Sequence, residues 1–483
     1  MDIVKIKKIN EVYNKIYCEP WLAKEIDSFF TFKVPGYQYM PKYKSGMWNG
    51  DIHIFNLRSQ LLYGGLNTYL EKFCEEREYK IEYLTDFSTD EFSIKEAQDF
   101  ISSLAIPLIP RDYQIEAFVY AIRNRRALLL SPTASGKSLI IYLLIRYFNL
   151  NTLLIVPTTS LVHQMYTDFE SYGFDSKTNC HMIYSGQDKN IDKPVNISTW
   201  QSLYKLPKSW FDRFELVIGD EAHLFQAKSL VGIMENLEDC RYRYGFTGTL
   251  DGTQTHKLML EGLFGTVKKV TTTKTLISQK YLSDFKIKCI VLRYTDDTCK
   301  EVLKKKYQAE MDYVISSEKR NKFIRNLVLS LKGNTLLLFQ YIEKHGRILY
   351  DTILAEAQND RPVYFVHGGV EGEDRENIRR LVEIDKDAII CASYGTFSTG
   401  INIRNLHNIV FASPSKSKIR NLQSIGRGLR LGDDKEICTL FDIVDDFSLG
   451  SKKNYLLMHF IERMKIYNEE KFDNKIYMVK LNE

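Results

Sequence analysis

The chain has 483 residues, of which 44% are hydrophobic and 26% charged, so it is long enough for about three or four domains and has the composition of an ordinary globular protein. Its net charge of +5 is compatible with a polyanionic partner but too small to establish one. The eight cysteines are scattered without a CxxC pair, so we expect reduced thiols and neither a disulfide framework nor a zinc site. The longest apolar runs are too short to span a bilayer, so we expect a soluble intracellular protein.

Residues 1–90 are predicted to form a small α+β domain that binds the substrate. Alternating apolar residues indicate strands at 3–9 and 12–17, and helical spacing indicates a helix at 21–30. Asn49-Gly50 predicts a hairpin turn. Ser93 is expected to cap a connecting helix in the linker, residues 91–110, which Pro107 and Pro110 punctuate.

From residue 111 onward, short apolar runs alternate with helical patterns. Continuous apolar runs indicate strands covered on both faces, and their alternation with helices indicates parallel sheets. We therefore predict two parallel α/β domains, at 111–280 and 281–450, followed by a helical extension at 451–483 that ends in a strand-like stretch. The predicted strands are 127–130, 152–156, 195–198 and 215–219, and, after a break near 280–325, 335–339, 362–366, 388–392, 408–412 and 437–442.

A phosphate-binding loop is indicated at residues 131–138, whose sequence SPTASGKS follows a predicted strand and precedes an apolar helix. Backbone N–H groups at the helix N-terminus would hold the phosphates, Lys137 would contact the β- and γ-phosphates, and Ser138 would bind Mg²⁺. Ser131 stands where the usual pattern has its first glycine, and the alternative is a simple glycine turn before a helix. The residues of this loop predicted to bind ATP are Thr133, Ala134, Ser135, Gly136, Lys137 and Ser138.

Two adjacent carboxylates follow the predicted strand at 215–219. In an open α/β sheet, ligands bind beyond the carboxyl ends of strands. Asp220 is therefore predicted to hold Mg²⁺ through water, and Glu221 to orient and deprotonate the attacking water. An acidic pair on the surface is the alternative, but the position downstream of a phosphate-binding loop favours catalysis.

Two further segments carry weaker signals. Arg427 and Arg430 lie three residues apart and would share a helical face, where their donor forks suit a transferring phosphoryl group; a basic surface helix would have the same pattern. Arg111 and Tyr113 precede the first strand of the α/β region together with Gln114, whose amide suits a bidentate contact with adenine. Tyr113 could equally pack in the core.

In this order, these segments resemble the conserved motif series of superfamily 2 helicases over residues 107–449. The series also includes Thr247-Gly248-Thr249 and Thr399-Gly400. The resemblance implies two RecA-like domains with ATP in the cleft between them and nucleic acid lying across one face of both. Asn402, where many relatives have aspartate, and Gly428-Leu429 depart from the usual pattern.

The resemblance also implies roles for single residues. Arginines of the second domain would reach the ATP held by the first, and Gln423 would contact the γ-phosphate or the attacking water. The catalytic residues so implied are Lys137, Asp220, Glu221, Gln423, Arg427 and Arg430. The remaining assignments are Arg111, Tyr113, Gln114 and Gly400 to ATP binding, and His223, Thr247 and Thr249 to coupling of the ATP state to domain movement.

A nucleic-acid face is predicted from polar groups at strand ends in both α/β domains. Such groups suit phosphate contacts, which set register without reading sequence. Ordinary turn and cap chemistry explains each of them equally well. The residues are Thr158, Thr159, Thr199 and Gln201 in the first domain, and His367, Gly368, Ser393, Thr396 and Thr399 in the second.

The N-terminal domain narrows the resemblance. Residues 36–51 read GYQYMPKYKSGMWNGD, and this pattern ahead of a superfamily 2 core is similar to the UvsW-like helicases of bacteriophages. That family implies an ATP-dependent DNA helicase that regresses forks, migrates Holliday junctions and unwinds R-loops in recombination, replication and repair. Basic residues beside aromatics also suit a junction contact, predicted at Lys42, Lys44 and Trp48, although the aromatics could equally pack on the helices of the domain.

The expected partners are branched or forked DNA, single-stranded DNA and RNA–DNA hybrids, with single-strand-binding or recombination proteins as further candidates. We expect a monomer, with ATP and Mg²⁺ as cofactors, in the cytoplasm of the infected bacterium if a phage encodes the chain. An RNA helicase or a restriction-type duplex translocase stays open, because motor motifs contact mainly the backbone. A strand-annealing protein with an incidental ATPase is disfavoured by Lys137, Glu221 and Arg430.

Overall fold

The computed structural model describes the chain except at residues 1, 88, 358–360, 370–376, 379, 383, 397–402, 404, 414–416, 418–424, 427, 430–436 and 482–483. The chain forms two compact units. The first comprises Met1–Ser131 and Gly136–Thr271, and the second comprises Pro132–Ser135 and Thr272–Glu483. Among the described residues, none of the helices combines the length and the hydrophobicity needed to cross a bilayer.

The N-terminal domain contains a four-stranded sheet and a separate two-stranded sheet. Its elements are β1 (Ile3–Lys8), β2 (Tyr13–Tyr17), α1 (Pro20–Phe29), β3 (Thr31–Lys33), α2 (Pro41–Lys44), β4 (Asp51–His53), β5 (Leu61–Tyr63), α3 (Asn67–Glu75) and β6 (Lys80–Tyr83), with 3₁₀ turns at Tyr37–Tyr39 and Gly64–Leu66. The larger sheet has the order β5-β2-β1-β6, and β3 pairs with β4. The inward residues of β1 and β2, such as Val4, Ile6 and Ile16, are fully buried, which is why these strands alternate in sequence.

The predicted hairpin turn at Asn49-Gly50 is wrong. Lys33 of β3 lies opposite Asp51 of β4, but the 17 residues between the strands, 34–50, form an excursion of short helical turns that we call the tip segment. Gly50 has a φ of 90°, and a Cβ at this position would overlap the ring of Tyr37. The glycine therefore permits close packing of an aromatic ring, and it does not form a two-residue turn.

The connection to the first α/β domain follows the prediction. Helix α4 (Ile94–Ser103) begins after Ser93, whose Oγ accepts a hydrogen bond from Glu96 N at 3.1 Å. Glu96 Oε2 in turn accepts from Ser93 N at 2.6 Å. This reciprocal capping box confirms Ser93 as the N-cap.

The first α/β domain is built on a seven-stranded parallel sheet of order β13-β7-β12-β11-β8-β10-β9. Its elements are α5 (Asp112–Asn124), β7 (Arg126–Leu130), α6 (Lys137–Phe148), β8 (Thr152–Val156), α7 (Thr159–Ser171), α8 (Ser176–Asn179), β9 (Cys180–Ile183), β10 (Val195–Thr199), α9 (Trp200–Leu203), β11 (Leu216–Asp220), α10 (Lys228–Asn236), β12 (Tyr242–Thr247), α11 (Gln254–Phe264) and β13 (Val267–Lys269). In β8, Leu153 and Ile155 enter one apolar cluster while Leu154 and Val156 enter another. Both faces of the sheet are thus covered, as the continuous apolar runs predicted.

The second α/β domain has a second seven-stranded parallel sheet, of order β16-β17-β15-β18-β19-β14-β20. Its elements among the described residues are α12 (Thr273–Ser278), β14 (Asp284–Arg293), α13 (Asp296–Val302), α14 (Tyr307–Ser316), α15 (Glu318–Ser330), β15 (Thr335–Phe339), a π turn at Ile342–Gly346, α16 (Arg347–Glu356), β16 (Val363–Val366), β17 (Ile389–Ser393), β18 (Asn408–Phe411), β19 (Ile437–Asp446), α17 (Tyr455–Glu469) and β20 (Asp473–Lys480). The predicted fold class, two tandem RecA-like parallel-sheet domains behind a small α+β domain, is confirmed. The strand-like end of the C-terminal extension is β20, which pairs with β14 at the edge of this sheet.

Candidate ATP site and nucleic-acid interface

The predicted phosphate-binding loop joins β7 to α6. Ala134 and Gly136 both have left-handed backbones, with φ of 65° and 77°. A Cβ on Gly136 would also overlap Nε2 of Gln114, so this position requires glycine for two reasons. The loop is tied to the end of β12 by a hydrogen bond of 2.8 Å from Ser131 N to Thr247 O. Lys137 and Ser138 begin α6, where free N–H groups suit an anion.

Gln114, predicted to contact adenine, is buried behind this loop. Its Nε2 donates to Gly136 O at 3.3 Å, and its Oε1 accepts from Arg111 N at 2.8 Å. Arg111 Nη1 in turn donates to the Tyr113 hydroxyl at 2.9 Å. Here Gln114 braces the loop, so an adenine contact would require it to exchange these hydrogen bonds.

Asp220 and Glu221 lie at the carboxyl end of β11. Asp220 is 4% exposed, and its Oδ1 is buried without a hydrogen-bond partner. Burial and the adjacent Glu221 raise the pKa of Asp220 to about 6, against the opposing charge of Lys137. Glu221 has a left-handed backbone with a φ of 50°, which turns the chain sharply after the strand. A bound cation could supply the partner that this buried carboxylate oxygen needs.

Ser138, predicted to bind Mg²⁺, lies 2.8 Å from the hydroxyl of Tyr172 through its Oγ. Burial raises the pKa of Tyr172 to about 12, so this neighbour stays a neutral phenol. The described residues contain no cluster of three His, Cys, Asp or Glu side chains that would form a metal cage. Mg²⁺ commonly binds through one or two protein groups plus phosphates, and Asp220 with Ser138 fits that pattern. Tyr172 carries no local sequence signal and was not predicted.

The predicted coupling residues form one buried hydrogen-bonded group. His223 Nδ1 lies 3.1 Å from Thr247 Oγ1 and 3.3 Å from Glu221 Oε2. The Thr247 hydroxyl donates to Thr249 O at 2.9 Å, so its single proton is used. His223 Nδ1 must therefore be the donor to Thr247. The acidic residues after β11 are thus connected to the loop after β12.

Four of the predicted nucleic-acid residues form local hydrogen bonds through their hydroxyls. Thr158 Oγ1 accepts from Leu161 N at 3.4 Å as the N-cap of α7. Thr199 and Ser393 are buried and face hydroxyls three residues on, at 3.1 Å to Ser202 and 2.8 Å to Thr396. These contacts match the turn and cap chemistry considered from the sequence.

The other predicted nucleic-acid residues differ in exposure. Thr159 and Gln201 are exposed at strand ends of the first domain, and His367 and Gly368 follow β16 in the second. A Cβ on Gly368 would lie 3.9 Å from Thr396 Oγ1, so the ends of β16 and β17 are neighbours. Five assigned residues lie outside the described residues: Thr399, Gly400, Gln423, Arg427 and Arg430.

In the tip segment, Lys42 and Lys44 are exposed but Trp48 is only partly so. Trp48 Nε1 donates to Asp51 O at 2.7 Å, which makes this ring a support of the segment. The most exposed apolar side chains are instead Tyr39 and Met47, each 78% exposed. Neither was singled out as a site residue, since exposure depends on how the segment folds.

Comparison with known families assigns all three parts of the chain. Residues 3–84 match the model of the N-terminal domain of the DNA helicase UvsW, residues 107–252 that of the res subunit of type III restriction enzymes, and residues 318–432 that of the conserved C-terminal domain of helicases.

Similar proteins agree with this assignment. The chain is 36% identical to the ATP-dependent DNA helicase uvsW of Enterobacteria phage T4, over 97% of each chain. The crystal structure of T4 UvsW matches at 35% identity over the whole of both chains, with a TM-score of 0.53. The structure of S. cerevisiae Dbp5 bound to RNA and ADP BeF3 matches at 13% identity over 80% of this chain and 93% of the other, with a TM-score of 0.54, which shows a common fold alone.

Proposed function

Because the chain belongs to the UvsW family of superfamily 2 DNA helicases, we propose that it uses ATP hydrolysis to remodel branched DNA. Fork regression, Holliday junction migration and R-loop unwinding are the reactions we assign to it. The observation that carries this proposal is the joint presence of a UvsW-type N-terminal domain and two RecA-like sheets, the first with a phosphate-binding loop and strand-end carboxylates.

ATP hydrolysis is assigned to Lys137, Asp220 and Glu221. Lys137 holds the β- and γ-phosphates, and Glu221 orients the attacking water and accepts its proton. Asp220 and Ser138 are the residues that would hold Mg²⁺, whose chemistry is to neutralise phosphate charge. The buried Oδ1 of Asp220 supports this assignment, because desolvating a carboxylate without a partner is costly unless a cation completes the site. By family resemblance, Gln423, Arg427 and Arg430 complete the reaction site.

We assign the contact with DNA at a branch point to the tip segment. The N-terminal 100 residues are not basic overall, with 13 Lys and Arg against 16 Asp and Glu, yet residues 28–50 contain three lysines and no carboxylate. Lys42 and Lys44 would contact phosphates, while Tyr39 and Met47 would stack on the exposed bases at the branch point. Both apolar side chains project from a positively charged segment, which suits a nucleic acid better than a protein core.

The tip segment is also braced, as a contact that separates strands must be. Val34 N donates to Gly50 O at 2.9 Å, and the Lys33 ammonium lies 2.9 Å from the Asp51 carboxylate. The Tyr37 ring packs edge-on against Tyr43 with 4.8 Å between ring centroids. These bonds close the base of the segment, so Tyr39 and Met47 are presented on a defined support.

The ATPase assignment is tested by comparing stimulation of ATP hydrolysis by single-stranded DNA, linear duplex, forks, four-way junctions and RNA–DNA hybrids. Forks and junctions should stimulate most. Lys137→Ala should abolish hydrolysis and keep DNA binding, because the lysine contacts phosphates of ATP alone. Equal stimulation by linear duplex would favour a restriction-type translocase, preferential stimulation by RNA an RNA helicase, and hydrolysis at the wild-type rate in Lys137→Ala would overturn the site.

The tip assignment is tested with the double variant Tyr39→Ala/Met47→Ala. Loss of stacking should weaken fork binding about tenfold, since stacking on an aromatic contributes about 1–3 kcal/mol per base. Hydrolysis stimulated by single-stranded DNA should be retained. Tyr17→Ala is the matched control, because Tyr17 is also an exposed aromatic of the N-terminal domain, at 41%. Equal fork affinity in wild type and the double variant would refute the assignment.

A further inference from the structure

Helix α11 begins against the residues that follow the catalytic carboxylates. His256 in its first turn is 2% exposed, and its Nε2 lies 2.8 Å from the backbone oxygen of His223. A carbonyl oxygen can only accept, so His256 is the donor. The other ring nitrogen lies 3.0 Å from the Asp251 carboxylate, which also accepts from Thr253, the N-cap of the helix. The start of α11 is therefore fixed to the backbone two residues after Glu221.

The body of α11 packs on the strand that carries Asp220. A Cβ on Gly219 or on Gly245 would lie 2.9 Å from the ring of Phe264, so that ring lies directly over β11 and β12. The buried Arg243 of β12 donates through Nε to Leu263 O at 2.9 Å. Helix α11 thus contacts β11 through Phe264, its last residue, and contacts the turn after β11 through His256 in its first turn.

Helix α11 also contacts the N-terminal domain. Glu261 is 1% exposed, and its Oε2 accepts from the Tyr69 hydroxyl of α3 at 2.6 Å, while its Oε1 accepts from Val267 N at 2.8 Å. Gly65 lies so close that a Cβ there would overlap the backbone oxygen of Glu261. A Cβ on Gly262 would lie 2.9 Å from Tyr63. Backbone-to-backbone contact of this kind leaves little freedom for α11 to move independently of the N-terminal domain.

We propose that α11 couples the ATP site to the N-terminal domain, with His256 as the positioning residue at one end and the Glu261–Tyr69 hydrogen bond as the connection at the other. Its 11 residues span about 16 Å as a rigid rod. A shift of the chain around Glu221 and His223 on nucleotide binding moves the start of α11, and the helix passes that shift to α3. The inference rests on the proposed function, because it presupposes ATP hydrolysis at Glu221 and branch binding by the N-terminal domain.

The variant that tests the connection is Tyr69→Phe, which removes one hydroxyl and leaves the ring. The readout is the ratio of ATP hydrolysis stimulated by forks to that stimulated by single-stranded DNA. The ratio should fall about fivefold, the lower end of typical coupling between sites, while the rate with single-stranded DNA is unchanged. Tyr79→Phe is the matched control, since the Tyr79 hydroxyl also donates to a carboxylate, Glu25 at 2.8 Å, but inside the N-terminal domain. Its ratio should equal that of wild type.

The other end of the helix is tested with His256→Leu and His256→Gln. Leucine removes the donor to His223 O and should lower the fork ratio as Tyr69→Phe does. Glutamine places its Nε2 near that of histidine and should restore most of the ratio, which a purely structural loss of the ring would not allow. The double variant His256→Leu/Tyr69→Phe should lower the ratio no further than either single change, because both interrupt one path.

The outcomes separate the two proposals. Wild-type protein without preferential stimulation by forks would overturn the proposed function, and the coupling with it. Preferential stimulation that survives Tyr69→Phe, or that falls equally in Tyr79→Phe, would overturn the role of α11 alone. Effects of His256→Leu and Tyr69→Phe that multiply in the double variant would likewise exclude a common path.

Discussion

Two parallel strands of the molecule end in adjacent carboxylates, and the surroundings of these acids are opposite in character. In the first α/β domain, β11 leads into Asp220 and Glu221, and Oδ1 of Asp220 has no hydrogen-bond partner. In the second, β19 ends in Asp445 and Asp446. Asp445 Oδ1 accepts from Arg320 Nε at 2.8 Å and from the Tyr294 hydroxyl at 2.7 Å. Oδ2 of Asp445 is buried without a hydrogen-bond partner, like Oδ1 of Asp220, so the two acids differ in the direct ion pair with Arg320.

Asp446 is neutralised as well. It lies 3.2 Å from Arg293 and accepts a hydrogen bond from Ser448 N at 2.8 Å. The acids of the second domain thus each pair directly with an arginine, whereas only the charges of Lys137 and His223 and a backbone hydrogen bond offset the burial of Asp220. The desolvation of Asp220 is only partly offset, as is common at reactive sites, whereas the acids of the second domain are held in ion pairs with arginines.

The largest expected difference concerns the second acid of each pair. Glu221→Gln should lower kcat for ATP hydrolysis by about 10²–10⁴-fold, because glutamine accepts no proton from the attacking water. Asp446→Asn should leave kcat within about twofold, since an amide oxygen still accepts from Ser448 N and no catalytic proton is involved. Steady-state hydrolysis with a fork measures both. A comparable loss in Asp446→Asn would show that the two pairs do not differ as the structure indicates.

From the sequence, Asp220 and Glu221 were predicted to be catalytic, whereas Asp445 and Asp446 were given no role, although both pairs end an apolar stretch. What separated them was the upstream phosphate-binding loop, because loop and carboxylates at the same edge of a sheet form one site. Arg320 lies 125 residues from Asp445 in the chain, and such pairings depend on tertiary packing. For the same reason, no local pattern marks His256 or Tyr69.

Strands were predicted where their sequences are uniformly apolar, as in β8 and β15. In the two parallel sheets, strands β9, β12, β13 and β14 were missed. β12 contains Arg243, which is fully buried because three backbone oxygens accept its hydrogen bonds. β14 alternates lysine with apolar residues until Cys289, a pattern that resembles an exposed edge, although β19 and β20 flank it. In the tip segment, Gly50 was interpreted as part of a turn, but the structure shows that glycine is needed there because a Cβ would overlap the ring of Tyr37.

Removing the charge of Asp445 in the second domain should lower stability, because its cationic partner Arg320 stays buried. Asp445→Asn leaves the guanidinium of Arg320 buried without its carboxylate, so the free energy of unfolding of the second domain should fall by about 3–5 kcal/mol. Hydrogen exchange of the β15 and β19 amides measures this change. Tryptophan emission should not report it, because all four tryptophans lie in the first 210 residues.

A surface ion pair provides the control for that experiment. Asp297 pairs with Lys300 at 3.0 Å but its side chain is 93% exposed, so Asp297→Asn should leave the exchange rates of β15 and β19 unchanged. Equal protection of β15 in Asp445→Asn and wild type would mean that Arg320 does not depend on Asp445.

Low pH should lower the stability of the second domain through His345, which lies beside Arg320. This side chain is buried beside Arg320, with Nδ1 3.0 Å from Ser413 Oγ and Nε2 3.2 Å from Asn321 Oδ1. Burial and the Arg320 charge lower the pKa of His345 to about 3. Between this pH and about 6.5 the unfolded chain binds a proton that the folded one does not, so stability falls as the pH drops below about 6.5.

At pH 5 the free energy of unfolding should be about 2 kcal/mol lower than at pH 7, because each pH unit below about 6.5 costs about 1.4 kcal/mol. It is measured by hydrogen exchange of β15 at the two pH values, corrected for the intrinsic rates. His345→Gln does not titrate in this range and should show a smaller change with pH. An identical pH dependence in the variant and the wild type would assign the acid sensitivity to other groups.

The smallest expected effect is an increase in the free energy of unfolding, opposite in sign to the effect of Asp445→Asn. Asp220→Asn removes a buried charge whose Oδ1 has no hydrogen-bond partner and whose burial is only partly offset by the charge of Lys137, so the free energy of unfolding of the first domain should rise by about 1 kcal/mol at pH 7 without nucleotide or Mg²⁺. Urea unfolding followed by tryptophan emission measures it. ATP hydrolysis should be lost in the same variant. Asp445→Asn makes the same chemical change at the end of the other strand and should lower stability. A loss of stability in both variants would mean that Asp220 is stabilised by partners within the protein and does not require a cation.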